Sequence, residues 1–223
     1  MQSERPEYVI YRAAKPIQVD GRLDDPSWQG ANVMDLVLVD TGGKPRQATQ
    51  ARALWDDQYL YISFQCEDTD IWGTITERDK AIFAEEVVEI FIDEDCDDYG
   101  YLEFEVSPRN AVLDIFILNR KGRVKGLWDW NSDGWLTAVT VDGDPTQRGT
   151  ADKSWTVEMA IPMTDFLMAA NLPPKPGDVW HANFYRIDRA LEGDEFSAWS
   201  KVGAINYHSP EKFGRIVFSD KQV

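Results

Sequence analysis

The chain has 223 residues, with 39 acidic against 23 basic side chains and a formal charge of −16. Such a charge repels phosphate backbones and anionic lipid, so it argues against nucleic acid and membrane surfaces as partners. Hydrophobic residues make up 43% of the chain and aromatic residues 12%, enough for one substantial core, and residues 1–223 read as a single domain with 1–7 flexible.

No apolar run reaches membrane-spanning length. The residues after Met1 (Gln-Ser-Glu-Arg-Pro) lack the apolar segment of a signal peptide. The chain is therefore expected to be cytoplasmic as it stands, or extracellular, periplasmic or on the cell surface if a leader has been removed.

In chain order, Asp24 to Trp28 predicts a helical turn, with an acidic cap and Pro26 at an early helical position. Strand alternation follows. Leu60, Ile62 and Phe64 alternate with Tyr59, Tyr61, Ser63 and Gln65; Val88, Ile90 and Ile92 with Glu89, Phe91 and Asp93; Leu102, Phe104 and Val106 with Tyr101, Glu103 and Glu105. Further strands are predicted over 112–118, 155–161, 180–188 and 214–218, with a second helical turn over 162–167. Residues 171–177 are a Pro-rich connection within the domain. Short strands divided by turns predict an all-β fold, a two-sheet antiparallel β-sandwich of jelly-roll or immunoglobulin-like kind, with one or two short helical turns. Cys66 and Cys96 each end a strand, which places them far apart in an antiparallel pairing and predicts free thiols.

The polar residues carry two readings each. Glu89, Glu103 and Glu105 point away from the core side of their strands; Glu103 and Glu105 read as part of a solvated sheet face. Asp93, Asp95 and Asp97, followed by Gly100, form either a calcium-binding run or a solvated acidic turn. Trp128 and Trp130 sit in a polar loop, where they either present their faces to a ligand or cap the open end of the sandwich. Arg78 and Arg109 could grip vicinal hydroxyls or pair with local acids, and Arg186 reads as the buried partner of an Asp or Glu. His181 and His208 are the only histidines, and they do not make a zinc site.

Six segments in order carry a resemblance: VDGRLDDPSW at 19–28, ALWDDQYLYI at 53–62, VVEIFID at 87–93, WTVEMAIP at 155–162, PGDVWHANFYRI at 176–187 and FGRI at 213–216. In this order and spacing the chain resembles the family 9 carbohydrate-binding modules. The resemblance implies a noncatalytic β-sandwich that stacks a sugar, often a xylan- or glucan-type chain end, between two aromatic rings and supports polysaccharide recognition or degradation. By the same resemblance Phe83 stands where a Trp is usual, and Glu89 matches a sugar-contacting Glu. Tyr207 or His208 falls at the second ring, and Glu105 stands where an Arg is expected. The implied site is Phe83, Glu89, Arg78, Arg109, Trp128, Trp130, Tyr207 and His208. It requires no cofactor, and a structural calcium would fall at Asp93, Asp95 and Asp97. The alternatives are a haem-binding sandwich with His208 or a Met as axial ligand, a glycoside hydrolase or lyase using Glu89 and Glu158, and a surface scaffold with no small ligand.

Overall fold

A strand that is apolar at alternate residues must lay that face against a second layer. This chain does so by folding one long sheet over on itself. The computed structural model describes residues 5–223. Among them the strands are β1 (Glu7–Arg12), β2 (Met34–Asp35), β3 (Val37–Leu38), β4 (Thr49–Trp55), β5 (Tyr59–Glu67), β6 (Val87–Asp93), β7 (Gly100–Val106), β8 (Val112–Arg120), β9 (Arg123–Leu127), β10 (Leu136–Asp142), β11 (Ser154–Pro162), β12 (Val179–Ala190), β13 (Gly193–Ala198) and β14 (Gly214–Gln222). Helix is confined to α1 (Pro26–Gly30) and three single turns, Ile82–Ala84, Met163–Asp165 and Pro210–Lys212. The first of these elements and the turn at Met163 are the two helical turns predicted.

The strands run in the order β10-β11-β5-β4-β1-β14-β12-β6-β7-β8-β9, with β13 beside β12 and β3, and β2 beside β4. The sheet is not purely antiparallel: β1 runs parallel to both β14 and β4. No tight turn joins β1 to either neighbour, so no hairpin imposes the antiparallel sense. The path does not close into a barrel. The β9 edge carries exposed Arg123 and Lys125, charges that discourage edge-to-edge pairing.

The inner faces meet in one core. Ala53, Ile62, Phe64, Val157 and Met159 on one layer pack with Ile90, Ile92, Leu102, Phe104 and Phe184 on the other. The Phe64 and Phe184 rings are 5.9 Å apart. The product is a β-sandwich. Cys66 and Cys96 are both free, as predicted.

Two buried charges pin the frame. Arg186, 1% exposed, donates to Asp68 Oδ2 (2.7 Å), Glu67 O (2.7 Å) and Thr49 Oγ1 (3.1 Å), tying β12 to β4 and β5 across the sandwich. Glu86 and Asp188 stand close by, and burial pushes their carboxyls up, to about 10 and about 6. Glu158 accepts from the backbone N–H groups of Asp20 (2.8 Å) and Gly21 (2.7 Å) and from Trp28 Nε1 (2.8 Å). The N-terminal motif is thus tied to a strand carboxylate. This removes Glu158 from any catalytic pair.

The described part of the segment 1–7 makes contacts with the rest of the fold. Arg5 reaches His181 Nδ1 (2.7 Å) and Asp98 (3.2 Å), Pro6 O accepts from Arg215 N (2.8 Å), and Glu7 opens β1. Residues 1–4 lie outside the described residues.

Replacing Glu158 by Ala strands three donors, two of them on the backbone. It should cost roughly 3 kcal/mol, read in urea as a lower midpoint with an unchanged m-value.

Candidate functional site

The site forms because both faces of β6 and β7 are covered. Val88, Ile90 and Ile92, with Leu102, Phe104 and Val106, enter the core. The alternate residues Glu89, Phe91, Tyr101, Glu103 and Glu105 therefore share the outer face. Register places Glu89 opposite Glu105 and Phe91 opposite Glu103, with Ile115 beside Glu103 on β8.

A segment between β13 and β14 lies over part of this outer face, held by specific hydrogen bonds. Asn183 on β12 donates to Ser200 O (2.8 Å) and accepts from Ser200 N (2.8 Å). Tyr185 Oη donates to Tyr207 O (3.0 Å), Tyr207 Oη donates to Arg186 O (2.8 Å), and Asn119 Nδ2 donates to His208 O (3.0 Å). The turn at Ile82–Ala84 and the end of β9 bring up Phe83 and Trp128 on another side. Gly126 makes room for this: a Cβ there would lie 3.0 Å from Trp128 Nε1 and 3.1 Å from Ile115 Cγ2.

Between these walls is a cleft of about 280 Å³, lined by Phe83, Glu89, Phe91, Glu103, Glu105, Trp128, Tyr207 and His208 among others. Phe83 and Trp128 are 37% and 46% exposed, with ring centroids 6.4 Å apart. The glutamates below them are buried: Glu89 2%, Glu103 4% and Glu105 1% exposed. Carboxylate oxygens of all three lie within 4.8 Å of one another. Burial, reinforced by the neighbouring carboxylates, raises Glu89 and Glu105 well above the usual range, and burial raises Glu103 to about 7. Burial lowers His208, favouring its neutral ring, whose Nδ1 shares a hydrogen bond with the Tyr101 hydroxyl (2.8 Å).

Against this geometry, residues 19–221 match the family described as Carbohydrate family 9 binding domain-like. The chain belongs to this family. It is 28% identical over 201 residues to an "Extracellular protein" of Arthroderma benhamiae, covering 86% of each chain. It is 24% identical over 205 residues to Endo-1,4-beta-xylanase A of Thermotoga maritima, covering 89% of this chain but only 16% of that enzyme. A Bacteroides uniformis protein described as a "putative carbohydrate-binding protein" superposes with a TM-score of 0.77 at 18% identity, covering 97% of this chain and 100% of that one. A family 9 carbohydrate-binding module from Caldicellulosiruptor kristjanssonii, solved with cellotriose, gives 0.66 at 15% identity, covering 96% and 94%. At these identities the two structures establish the sandwich fold.

Of the residues singled out by sequence, Phe83, Glu89, Trp128, Tyr207 and His208 meet in this cleft. Three others lie elsewhere. Arg78 pairs with buried Asp114 and with Asn131 Oδ1 (3.2 Å). Asp114 stands opposite Phe104 on the core side of β8, so Arg78 is on the wrong face of the sheet. Trp130 packs edge-on against Phe104 (5.9 Å), on that same core side. Arg109 sits in the β7–β8 turn and donates to Gly73 O (3.0 Å). Tyr207 lines the cleft, but one face of its ring is stacked on Tyr185 at 4.0 Å. The exposed aromatic pair is Phe83 with Trp128, rather than Phe83 with Tyr207.

The reading of Glu103 and Glu105 as solvated is corrected: a distant segment covers their face. One signal in the sequence pointed this way. A hairpin from β6 to β7 sets like charges opposite each other, an arrangement that weakens a sheet and so asks for another reason.

The acidic run at 93–97 is accounted for by its own backbone. Asp93 accepts from Asp97 N (3.2 Å) and Asp98 N (2.9 Å), Asp95 from Asp97 N (3.3 Å), and Asp97 from Tyr99 N (2.6 Å) and Gly100 N (3.0 Å). Oxygens of Asp93, Asp95 and Asp97 nevertheless lie within 4.8 Å of one another, so the three could share a calcium whose remaining ligands would be carbonyl oxygens and water.

The buried glutamates give a pH signature. The folded protein keeps on Glu103 a proton that the unfolded chain releases near 4.5, so this group's contribution falls as pH rises from about 4.5 to about 7. Urea unfolding of Glu103→Gln should show a shallower loss of stability between pH 5 and 7.5, by roughly 2 kcal/mol. Equal slopes would mean that Glu103 is solvated.

Proposed function

We propose that the cleft binds carbohydrate without catalysing a reaction, laying a pyranose against Phe83 and Trp128 while the glutamates and His208 bond its hydroxyls. The observation that carries this is the pairing of two exposed rings with buried acceptors directly beneath, in a family 9 chain. A pyranose offers an apolar C–H face to aromatic rings and hydroxyl donors to carboxylates. The cleft's volume lies near the lower end of the about 300–1,000 Å³ usual for small-molecule sites. It suits a chain end of one or two rings better than the middle of a long chain. Cellotriose bound to a relative of the same fold supports a glucan-type ligand.

The carboxylates favour binding over hydrolysis. They cluster on one floor, on adjacent strands, whereas glycoside hydrolysis sets two carboxyls on opposite sides of the bond, about 5–5.5 Å or 6.5–9.5 Å apart. A role beside polysaccharide-degrading enzymes draws support from the xylanase whose matching segment is a small part of its length. A setting outside the cell draws support from the relative named as extracellular.

Calorimetric titration with xylo- and cello-oligosaccharides and their monosaccharides tests this. Saturable binding is expected at about −4 to −8 kcal/mol, millimolar to micromolar. Phe83→Ala or Trp128→Ala should each weaken it about tenfold or more while leaving the fold unchanged, since both rings are exposed. Binding untouched by both substitutions would remove the cleft from the account.

A further inference from the structure

The three cleft glutamates are more acid than a neutral sugar requires. Each keeps one buried oxygen with no hydrogen-bond partner among the described residues: Glu89 Oε1, Glu103 Oε2 and Glu105 Oε2. Among the described residues no cation is paired with them. The one whose charge reaches Glu89, Arg189, is paired with Asp194 and reaches the Phe83 carbonyl (3.3 Å). The buried cluster of Asp68, Glu86 and Asp188 also has unpartnered oxygens, on Glu86 and Asp188, but it holds Arg186 in its midst. The cleft cluster has no such partner and opens towards the ligand.

Given the carbohydrate reading, on which this rests, we propose that the sugar carries a primary ammonium, as in a non-acetylated glucosamine unit at a chain end, seated against Glu89, Glu103 and Glu105. An ammonium has three N–H donors and accepts nothing, which matches three buried acceptors, one on each glutamate. The acids lie within 4.8 Å of one another and burial keeps them protonated; an ammonium beside them favours release of a proton and gains a counter-ion. The aromatic walls suit it as well, because ring faces attract ammonium groups. A hard divalent cation is the poorer occupant. It wants six or more oxygens, and the rest of the lining is dominated by Phe83, Phe91, Ile115, Ile117 and Trp128.

The test is a titration of the whole protein with three β-1,4-linked disaccharides: the one built of glucosamine, its N,N′-diacetyl form, and cellobiose. Each is run with chelator and again with calcium, in about 0.3 M NaCl to screen the acidic surface. The glucosamine disaccharide should bind about tenfold or more tightly than either neutral one. Glu105→Gln, which keeps the side chain's volume, should narrow that ratio to about threefold or less. The wild-type ratio decides the matter even if the variant fails to fold. Equal or tighter binding of cellobiose or the diacetyl form would overturn the ammonium and leave carbohydrate binding standing. Cellobiose binding that requires calcium and loses that requirement in Glu105→Gln would place a metal at the glutamates and also overturn it. No binding of any of the three would sink the ammonium, and together with an empty xylo- and cello-oligosaccharide panel it would sink the carbohydrate reading.

Discussion

The structure turns on one constraint: the outer face of β6 and β7 is not given to water. In a sandwich, one face of each strand enters the core and the other is ordinarily solvated. Here hydrogen bonds from Asn183, Tyr185 and Asn119 clamp a loop over the second face. Phe83 and Trp128 stand over another part of it. Covering that face turns three strand glutamates from surface charges into buried acids. It also creates the cleft, because the covering pieces come from separate parts of the chain and leave a gap between them.

The fold handles buried acid in two ways. At the end of the sandwich Asp68, Glu86 and Asp188 gather around Arg186, which donates to Asp68 and to backbone and hydroxyl oxygens from two strands. Arg186 offsets part of this charge and binds the two layers together, although Glu86 Oε2 and both Asp188 carboxyl oxygens have no hydrogen-bond partner among the described residues. At the cleft the acids are left without a cation and share their space with aromatic rings. Removing a partner from a buried charge is costly, so the second arrangement makes sense where the partner arrives from outside. Glu158 is a third case: a lone carboxylate satisfied by three N–H donors from the segment between Val19 and Trp28.

Much of this could be read from residues alone, for stated reasons. Alternation is a local property, so β5, β6, β7, β8, β11, β12 and β14 were legible from their own side chains. β9, with Arg123 and Lys125 among five residues, has no apolar face to announce it, and its pairing with β8 supplies the strand. Alternation also told which residues share a face with Glu89. It did not tell that residues 199–213 fold over that face, because the clamp is made by Asn183 and Tyr185, a strand away. Trp128 and Trp130 are two residues apart, yet one reaches the cleft and the other the core. Their loop has no period to predict which. Arg78 failed as a site residue for a similar reason: the acid that claims it, Asp114, lies on the core side of β8.

The most direct test of the central claim is a ¹H–¹⁵N titration following the indole N–H signals of the nine tryptophans as sugar is added. The account predicts a saturable shift of the Trp128 signal, with buried Trp155 and Trp180 unmoved. The molecule has a second and larger cleft, about 600 Å³, lined by Arg5, Trp199, Lys201 and Glu211. A saturable shift of Trp199 with Trp128 unmoved would place the sugar there and contradict the account.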